Sequence, residues 1–364
     1  MKKIIIIMYL AICVLSFGAG NRPVARLLGT SNGKIINQEN EDKVYPLASV
    51  TKMMTLLLTF EAIETGDISM DDMVNIPEEV RKIGGSRIWM TKGDRLSVRD
   101  LIKAAAVYSA NNAAYSLAYY VGKGDIDSFV KSMNKKANIL GMENTHYYTP
   151  AGLPPEMTGK QMDVSTVNDV YKLSRELLKY DDYLKIASMK EATIRNGEQT
   201  FKNRNKLLGI YGIYGLKTGH HSLAGYNISI VSKKNNLSMI EVVLGAPDEK
   251  TRDKIVLKDL EGFYNNYSYK KLLSKGDKIG MVQIKNGIKP NVKFYSSRDY
   301  FGVIKKDAEV KREIKIQKNI TAPVKAKTVV GEYRILIDGK VYLKKELTID
   351  EPIEKKSFFD RIFN

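Results

Sequence analysis

The sequence predicts an α+β fold followed by a small all-β domain, on three observations. Strand-like hairpins stand at both ends of a mainly helical middle. The texture changes after Tyr267 to short alternating stretches separated by turns. And 43% hydrophobic residues in a chain of 364 supply more than one core. That apolar content excludes a wholly disordered chain, and the lack of any run of about 18 apolar residues excludes a polytopic membrane protein. Cys13 is the single cysteine, so no internal disulfide can form. No Cys/His cluster has zinc spacing, and neither a metal nor a cofactor is expected.

The first element is a targeting segment, residues 1–20. Lys2 and Lys3 precede a short apolar run, 4–17, and Gly18-Ala19-Gly20 offers small residues for cleavage. The run is too short to span a bilayer, which favours a removable signal peptide over an anchor. Residues 24–28 and 34–37, joined by Ser-Asn-Gly, then read as a hairpin. Pro46 precedes a helix over 48–64, ended by Gly66, whose sequence is apolar on nearly every face. Such a helix is buried centrally. Further helices are expected at 97–108, 110–121, 125–140 and 164–180. Residues 228–231 and 239–244 read as a second hairpin, and a helix over 251–267 completes a first domain, 21–267.

A β-rich domain is expected over 268–351, with turns at Asn286-Gly287 and Asp338-Gly339. The last segment, 352–364, places Phe358, Phe359, Ile362 and Phe363 at helical spacings, with Lys355, Lys356 and Arg361 nearby. An apolar stripe with flanking cations is the pattern of a helix lying on a membrane surface. From residue 268 onward the chain carries 23 Lys+Arg against 12 Asp+Glu, so most of the net charge of +17 sits in the last quarter. That excess suits anionic polymer or lipid headgroups, or is simply a solvated lysine-rich face. Nucleic acid is not an expected partner.

Three short motifs carry chemistry. Ser49-Val50-Thr51-Lys52 opens the buried helix, where a spacing of three lets Lys52 reach the Ser49 hydroxyl. Burial disfavours the ammonium and makes the lysine a candidate base, while the helix N-terminus directs N–H groups at a developing oxyanion. Ser-x-x-Lys recurs at Ser31, Ser128, Ser132 and Ser268, so only its place on an apolar helix distinguishes Ser49. Ser109-Ala110-Asn111 offers a hydroxyl for proton relay and an amide for substrate, or else ordinary helix capping. Lys217-Thr218-Gly219-His220 lies in a glycine-rich run before the 228–231 strand. There Lys217 supplies charge, Thr218 a hydroxyl for a carboxylate, and Gly219 a close backbone approach. His220 and His221, adjacent on a strand, would point to opposite faces and make a poor metal pair.

In this order, Ser-x-x-Lys, Ser-x-Asn and Lys-Thr-Gly resemble the signature of penicillin-binding proteins and serine β-lactamases, with Ala110 in place of an aspartate. The flanking stretches PLASVTKMMT, GGSRIWM, YSANNAA, TPAGLP, NRNKLL and GLKTGH are similar to the low-molecular-weight D-alanyl-D-alanine carboxypeptidases. The resemblance implies a β-lactamase/transpeptidase-like catalytic domain. It implies Ser49 as the acylated nucleophile, Lys52 as its base, and Ser109 and Asn111 on the opposite wall. Lys217 and Thr218 would hold the substrate's terminal carboxylate, and the N–H groups of Ser49 and His220 would form the oxyanion hole. Arg204 and Arg252 match family arginines, with bracing ion pairs and direct binding equally open. Arg87 stands where a small residue is expected. The implied partners are peptidoglycan stem peptides ending in D-Ala-D-Ala and β-lactams, and the implied location is the bacterial envelope. A β-lactamase is disfavoured by the lack of a Glu-x-x-Leu-Asn motif and by the extra β domain. A D,D-endopeptidase and a weakly catalytic wall-binding scaffold remain as alternatives.

Overall fold

The computed structural model describes residues 23–357. The expected signal segment, 1–20, lies outside them. The chain divides into two compact units, the first ending at Glu261 and the second beginning at Gly262.

The first unit is built on a five-stranded antiparallel sheet. Its strands are β1 (Ala25–Thr30), β2 (Ile35–Glu39), β3 (Ile213–His221), β4 (Gly225–Lys234) and β5 (Leu237–Ala246), in the order β2-β1-β5-β4-β3. The apolar runs of β4 and β5 are joined by Asn235 and Asn236 at φ 52° and 62°, the two left-handed positions that a tight hairpin turn demands. The N-terminal strand β1 pairs with β5 from Ala25↔Leu244 to Thr30↔Met239, so the two ends of the unit share one sheet.

The first unit's longer helices are α1 (Lys52–Glu64), α2 (Val98–Lys103), α3 (Asn111–Val121), α4 (Ile126–Ile139), α5 (Val167–Leu177), α6 (Asp181–Ala187) and α7 (Glu249–Asn266), the last of which continues past Glu261 into the second unit. Met53, Met54, Leu56 and Leu57 on α1 are wholly buried, as its apolar faces require. Helix α5 starts where the Thr166 hydroxyl accepts from Asp169 N, and it packs on β1 and β5.

Three local features beyond the sequence reading fall at the motifs. Residues 48–51 form a 3-10 turn rather than the first turn of α1, and Ala48 takes φ 48°. The helix expected over 97–108 widens after α2 into a π turn, Ala104–Tyr108, that ends on Ser109 at φ 70°, ψ 29°. Lys217-Thr218-Gly219, placed from the sequence only in a glycine-rich run, lies within strand β3. Two glycines hide its strand character, and pairing with the Ile-Ser-Ile-Val stretch of β4 decides the conformation. The short helix α6 and the hairpin Glu191–Ile194 with Gln199–Lys202 carried no sequence expectation.

The second unit is all-β, as the alternating texture predicts: β6 (Tyr267–Leu273), β7 (Lys278–Gln283), β8 (Asn291–Tyr295), β9 (Tyr300–Lys305), β10 (Val310–Ile316), β11 (Val329–Ile337) and β12 (Lys340–Thr348). Val282, Val330, Ile335, Leu347 and Ile353 form its core. Ile353 corrects the expectation of a helix over the whole of 352–364. It is buried and exchanges backbone hydrogen bonds with Val324, while Lys356 N donates to Asn286 O. Burying an isoleucine in a core outweighs extending a short terminal helix. Phe358, Phe359, Ile362 and Phe363 lie outside the described residues. Among those described, no helix is long and apolar enough to cross a membrane.

Candidate active site

The amine of Lys52 is the centre of the site. Lys52 is fully buried and donates to Ser49 Oγ at 2.8 Å, Asn111 Oδ1 at 2.7 Å and Ala151 O at 2.8 Å. Two of these partners can only accept, whereas a hydroxyl can also donate. A neutral amine with two N–H groups and one lone pair therefore satisfies the same three neighbours, with the Ser49 O–H turned towards nitrogen. Burial pushes the Lys52 pKa well below its ordinary value, and the charge of Lys217 adds to the drop, against a smaller opposing effect of Asp163. Together, geometry and electrostatics prepare a base beside a hydroxyl.

Each partner is held by the local fold. The 3-10 turn leaves Ser49 half-buried at the head of α1. Gly152, at φ +77°, lets the loop after Pro150 pass the Ala48 carbonyl, which a Cβ there would meet at 1.8 Å. Asn111 begins α3, where its N–H donates to Ser86 O at 2.6 Å and its Nδ2 to Gly84 O at 2.8 Å. Ser109 ends the π turn two residues earlier, and its left-handed conformation turns the chain sharply into α3.

The second wall is β3, an edge strand whose outer backbone groups are unpaired in the sheet. Gly219 packs so closely that an added Cβ would lie 2.7 Å from Leu47 O and 3.1 Å from Ser49 N. Lys217 is buried, and its ammonium donates to Thr218 O at 3.0 Å. Burial lowers its pKa to about 7, assisted by the charges of Arg204 and Arg252. Thr218 is almost covered, and the His220 ring lies 4.0 Å from that of Tyr226. His221 is turned to other use, its Nδ1 accepting from Ala224 N.

The two arginines differ. Arg252 is buried and ion-paired with Asp253 at 2.6 Å and Glu249 at 3.5 Å, a bracing arrangement. Arg204 is exposed, donates to Tyr108 O at 3.3 Å and lies 4.3 Å from the centre of the Tyr108 ring.

Sequence reasoning missed two buried side chains that set this geometry. Asn227 donates to Pro46 O and Leu47 O and accepts from Gly245 N, tying the residues before Ser49 to β4 and β5. Asp163 accepts from Tyr148 N, Thr149 N and Thr149 Oγ1, fixing the loop that presents Ala151 O to Lys52. Burial raises the Asp163 pKa to about 6. Both are single polar residues in unremarkable strings, and only TPAGLP hinted at the loop they hold.

The model of the D-alanyl-D-alanine carboxypeptidase family matches residues 24–248. The chain belongs to this family. A second model, the C-terminal domain of penicillin-binding protein 5, matches residues 267–355. The chain is 32% identical over 341 residues to D-alanyl-D-alanine carboxypeptidase DacF of Bacillus subtilis, covering 92% of this chain and 86% of that protein. Its fold is similar to penicillin binding protein 5 from Haemophilus influenzae, at 30% identity and a TM-score of 0.74, covering 93% of this chain and 99% of that one. It is also similar to penicillin-binding protein D2 from Listeria monocytogenes in its ampicillin-bound form, at 31% identity and a TM-score of 0.59 over 65% of this chain and 96% of that one.

Proposed function

We propose that this protein removes the terminal D-alanine from peptidoglycan stem peptides through an acyl-enzyme on Ser49. The observation that carries the reading is the 2.8 Å contact between Ser49 Oγ and a buried lysine amine whose charged form is disfavoured.

Ser49 Oγ attacks the carbonyl of the D-Ala–D-Ala bond as Lys52 takes its proton. The N–H groups of Ser49 and His220 hold the oxyanion. The C–N bond breaks, the leaving amine receives a proton through Lys52 and Ser109, and water then hydrolyses the ester. Asn111 orients Lys52 and is placed to meet the substrate amide. Lys217 and Thr218 bind the terminal carboxylate, supported by the positive field of Arg204 and Arg252. Penicillins present a strained amide to the same serine and acylate it, a reading supported by likeness to the ampicillin-bound Listeria protein.

The enzyme works on the outer face of the cytoplasmic membrane, exported by residues 1–20 and held there by its C-terminal segment. Support comes from Lys2 and Lys3 before the 4–17 apolar run, and from four large apolar residues at 358–363. Incubation of the mature protein with a pentapeptide ending in D-Ala-D-Ala should release free D-alanine, and Ser49→Ala should release none. Unchanged release by Ser49→Ala would refute the mechanism.

A further inference from the structure

A cleft of about 800 Å³ opens between the Ser86–Trp89 loop, Tyr108 and the hairpin strand Gln199–Lys202. It adjoins the catalytic wall, since Tyr108 precedes Ser109, and Arg204, whose charge acts on Lys217, lines it. The lining joins aromatic faces to cations. The rings of Tyr108 and Phe201 lie 5.3 Å apart, Trp89 is 69% exposed, and Arg87, Lys202 and Arg204 bring positive charge. Of the two acids present, Glu249 is ion-paired with Lys206 at 2.6 Å, which leaves Glu198.

Both walls have fixed backbones. Ser86 O accepts from Asn111 N, Ser86 Oγ donates to Tyr108 O, and Ile88 N donates to Asn112 Oδ1. Across the cleft, Gln199 Nε2 donates to Trp89 O at 3.0 Å. Arg87, by contrast, is exposed and makes no hydrogen bond or ion pair among the described residues. A cation on a fixed loop, lining a cleft and without a partner among the described residues, is prepared for an anion.

We propose that this cleft binds the side chain of the leaving D-residue when that side chain is long and anionic, with Arg87 as the specificity determinant. The inference rests on the proposed carboxypeptidase reading and extends its substrate class. With the terminal carboxylate at Lys217, next to Arg204, the side chain of the last residue is carried towards Tyr108 and Arg87. The methyl of D-alanine leaves this volume unfilled. A D-residue bearing a longer arm with a free carboxylate fills it, with its aliphatic part on Trp89 and Tyr108. The bonds exchanged are unchanged: the Ser49 ester forms, the C–N bond breaks, the larger amine leaves with the proton, and water hydrolyses the ester.

The test compares two acyl peptides, one ending in D-Ala-D-Ala and one in D-Ala-D-2-aminoadipate, with the parent enzyme and Arg87→Glu. The parent should release aminoadipate at least as efficiently as D-alanine. Arg87→Glu should lower kcat/KM for the aminoadipate peptide about tenfold or more, mainly through KM, and for D-Ala-D-Ala by less than about threefold. Equal losses on both peptides, or a parent that releases D-alanine but not aminoadipate, would overturn the proposal. A parent that releases neither residue would overturn the carboxypeptidase reading and this one with it.

Discussion

Lys52 and Lys217 are two buried amines to which the proposed mechanism assigns opposite duties. In it Lys52 acts as a neutral base, working where its ammonium is lost, and Lys217 binds a carboxylate, working where its ammonium is kept. A lysine whose pKa falls to about 7 loses its charge as pH rises through that value. For free-acid peptides, kcat/KM should therefore fall on the alkaline side of about pH 7, whereas amidated peptides should show no such limb. Lys217→Ala should weaken turnover of free-acid peptides by about tenfold or more and remove the difference between the two profiles. Persistence of the alkaline limb in that variant would assign it to another group. The closeness of Lys52 to Ser49 was legible in the sequence because Ser-x-x-Lys before an apolar helix constrains both burial and reach. Asn227 and Asp163 were not, because a lone buried polar residue is identified only by the distant carbonyls and N–H groups it satisfies.

Strand β3 joins the motifs across more than 160 residues of chain, and its closest approach is at Gly219. An added methyl there meets Leu47 O at 2.7 Å and Ser49 N at 3.1 Å, both backbone atoms that cannot swing aside. Gly219→Ala should displace the strand from the Ser49 N–H and slow penicillin acylation by about 10–100-fold, with far-ultraviolet circular dichroism unchanged. Unimpaired acylation would separate Gly219 from the oxyanion hole. The apolar elements α1, β4 and β5 followed from their apolar runs and the residues that bound them. The π turn before Ser109, the 3-10 turn at Ser49 and strand β3 did not, because each is set by tertiary pairing rather than local propensity. These three features lie at the site itself.

At the scale of the whole molecule, one buried carboxyl lies outside the proposed chemistry. Glu241 lies fully buried in β5, and burial, followed by the charge of Asp259 and a hydrogen bond shared with it, raises its pKa well above the ordinary 4.5. The folded state then holds a proton that the unfolded state releases, so stability falls as pH rises from 4.5 towards the raised value. Glu241→Gln should escape this penalty and stabilise the protein at pH 7–8 by about 1 kcal/mol or more, with little gain near pH 4. Thermal unfolding at the two pH values checks this, and a gain independent of pH would contradict it. The all-β second unit was legible from its alternation and turns, but the start of the terminal segment was not, because Ile353 answers to a core rather than to helical spacing. Deletion of 358–364, which spares that core residue, should keep the mature enzyme active and abolish its sedimentation with anionic vesicles. Equal sedimentation of both forms would refute the membrane reading.

The proposed mechanism requires above all that Ser49 be acylated with Lys52 as its base. Mass spectrometry of the protein after brief exposure to benzylpenicillin, with peptide mapping, tests this directly. One penicilloyl adduct is expected on Ser49 of the parent, and Lys52→Ala should acylate at least about 100-fold more slowly. An adduct on any other residue, or rapid labelling of Lys52→Ala, would contradict it.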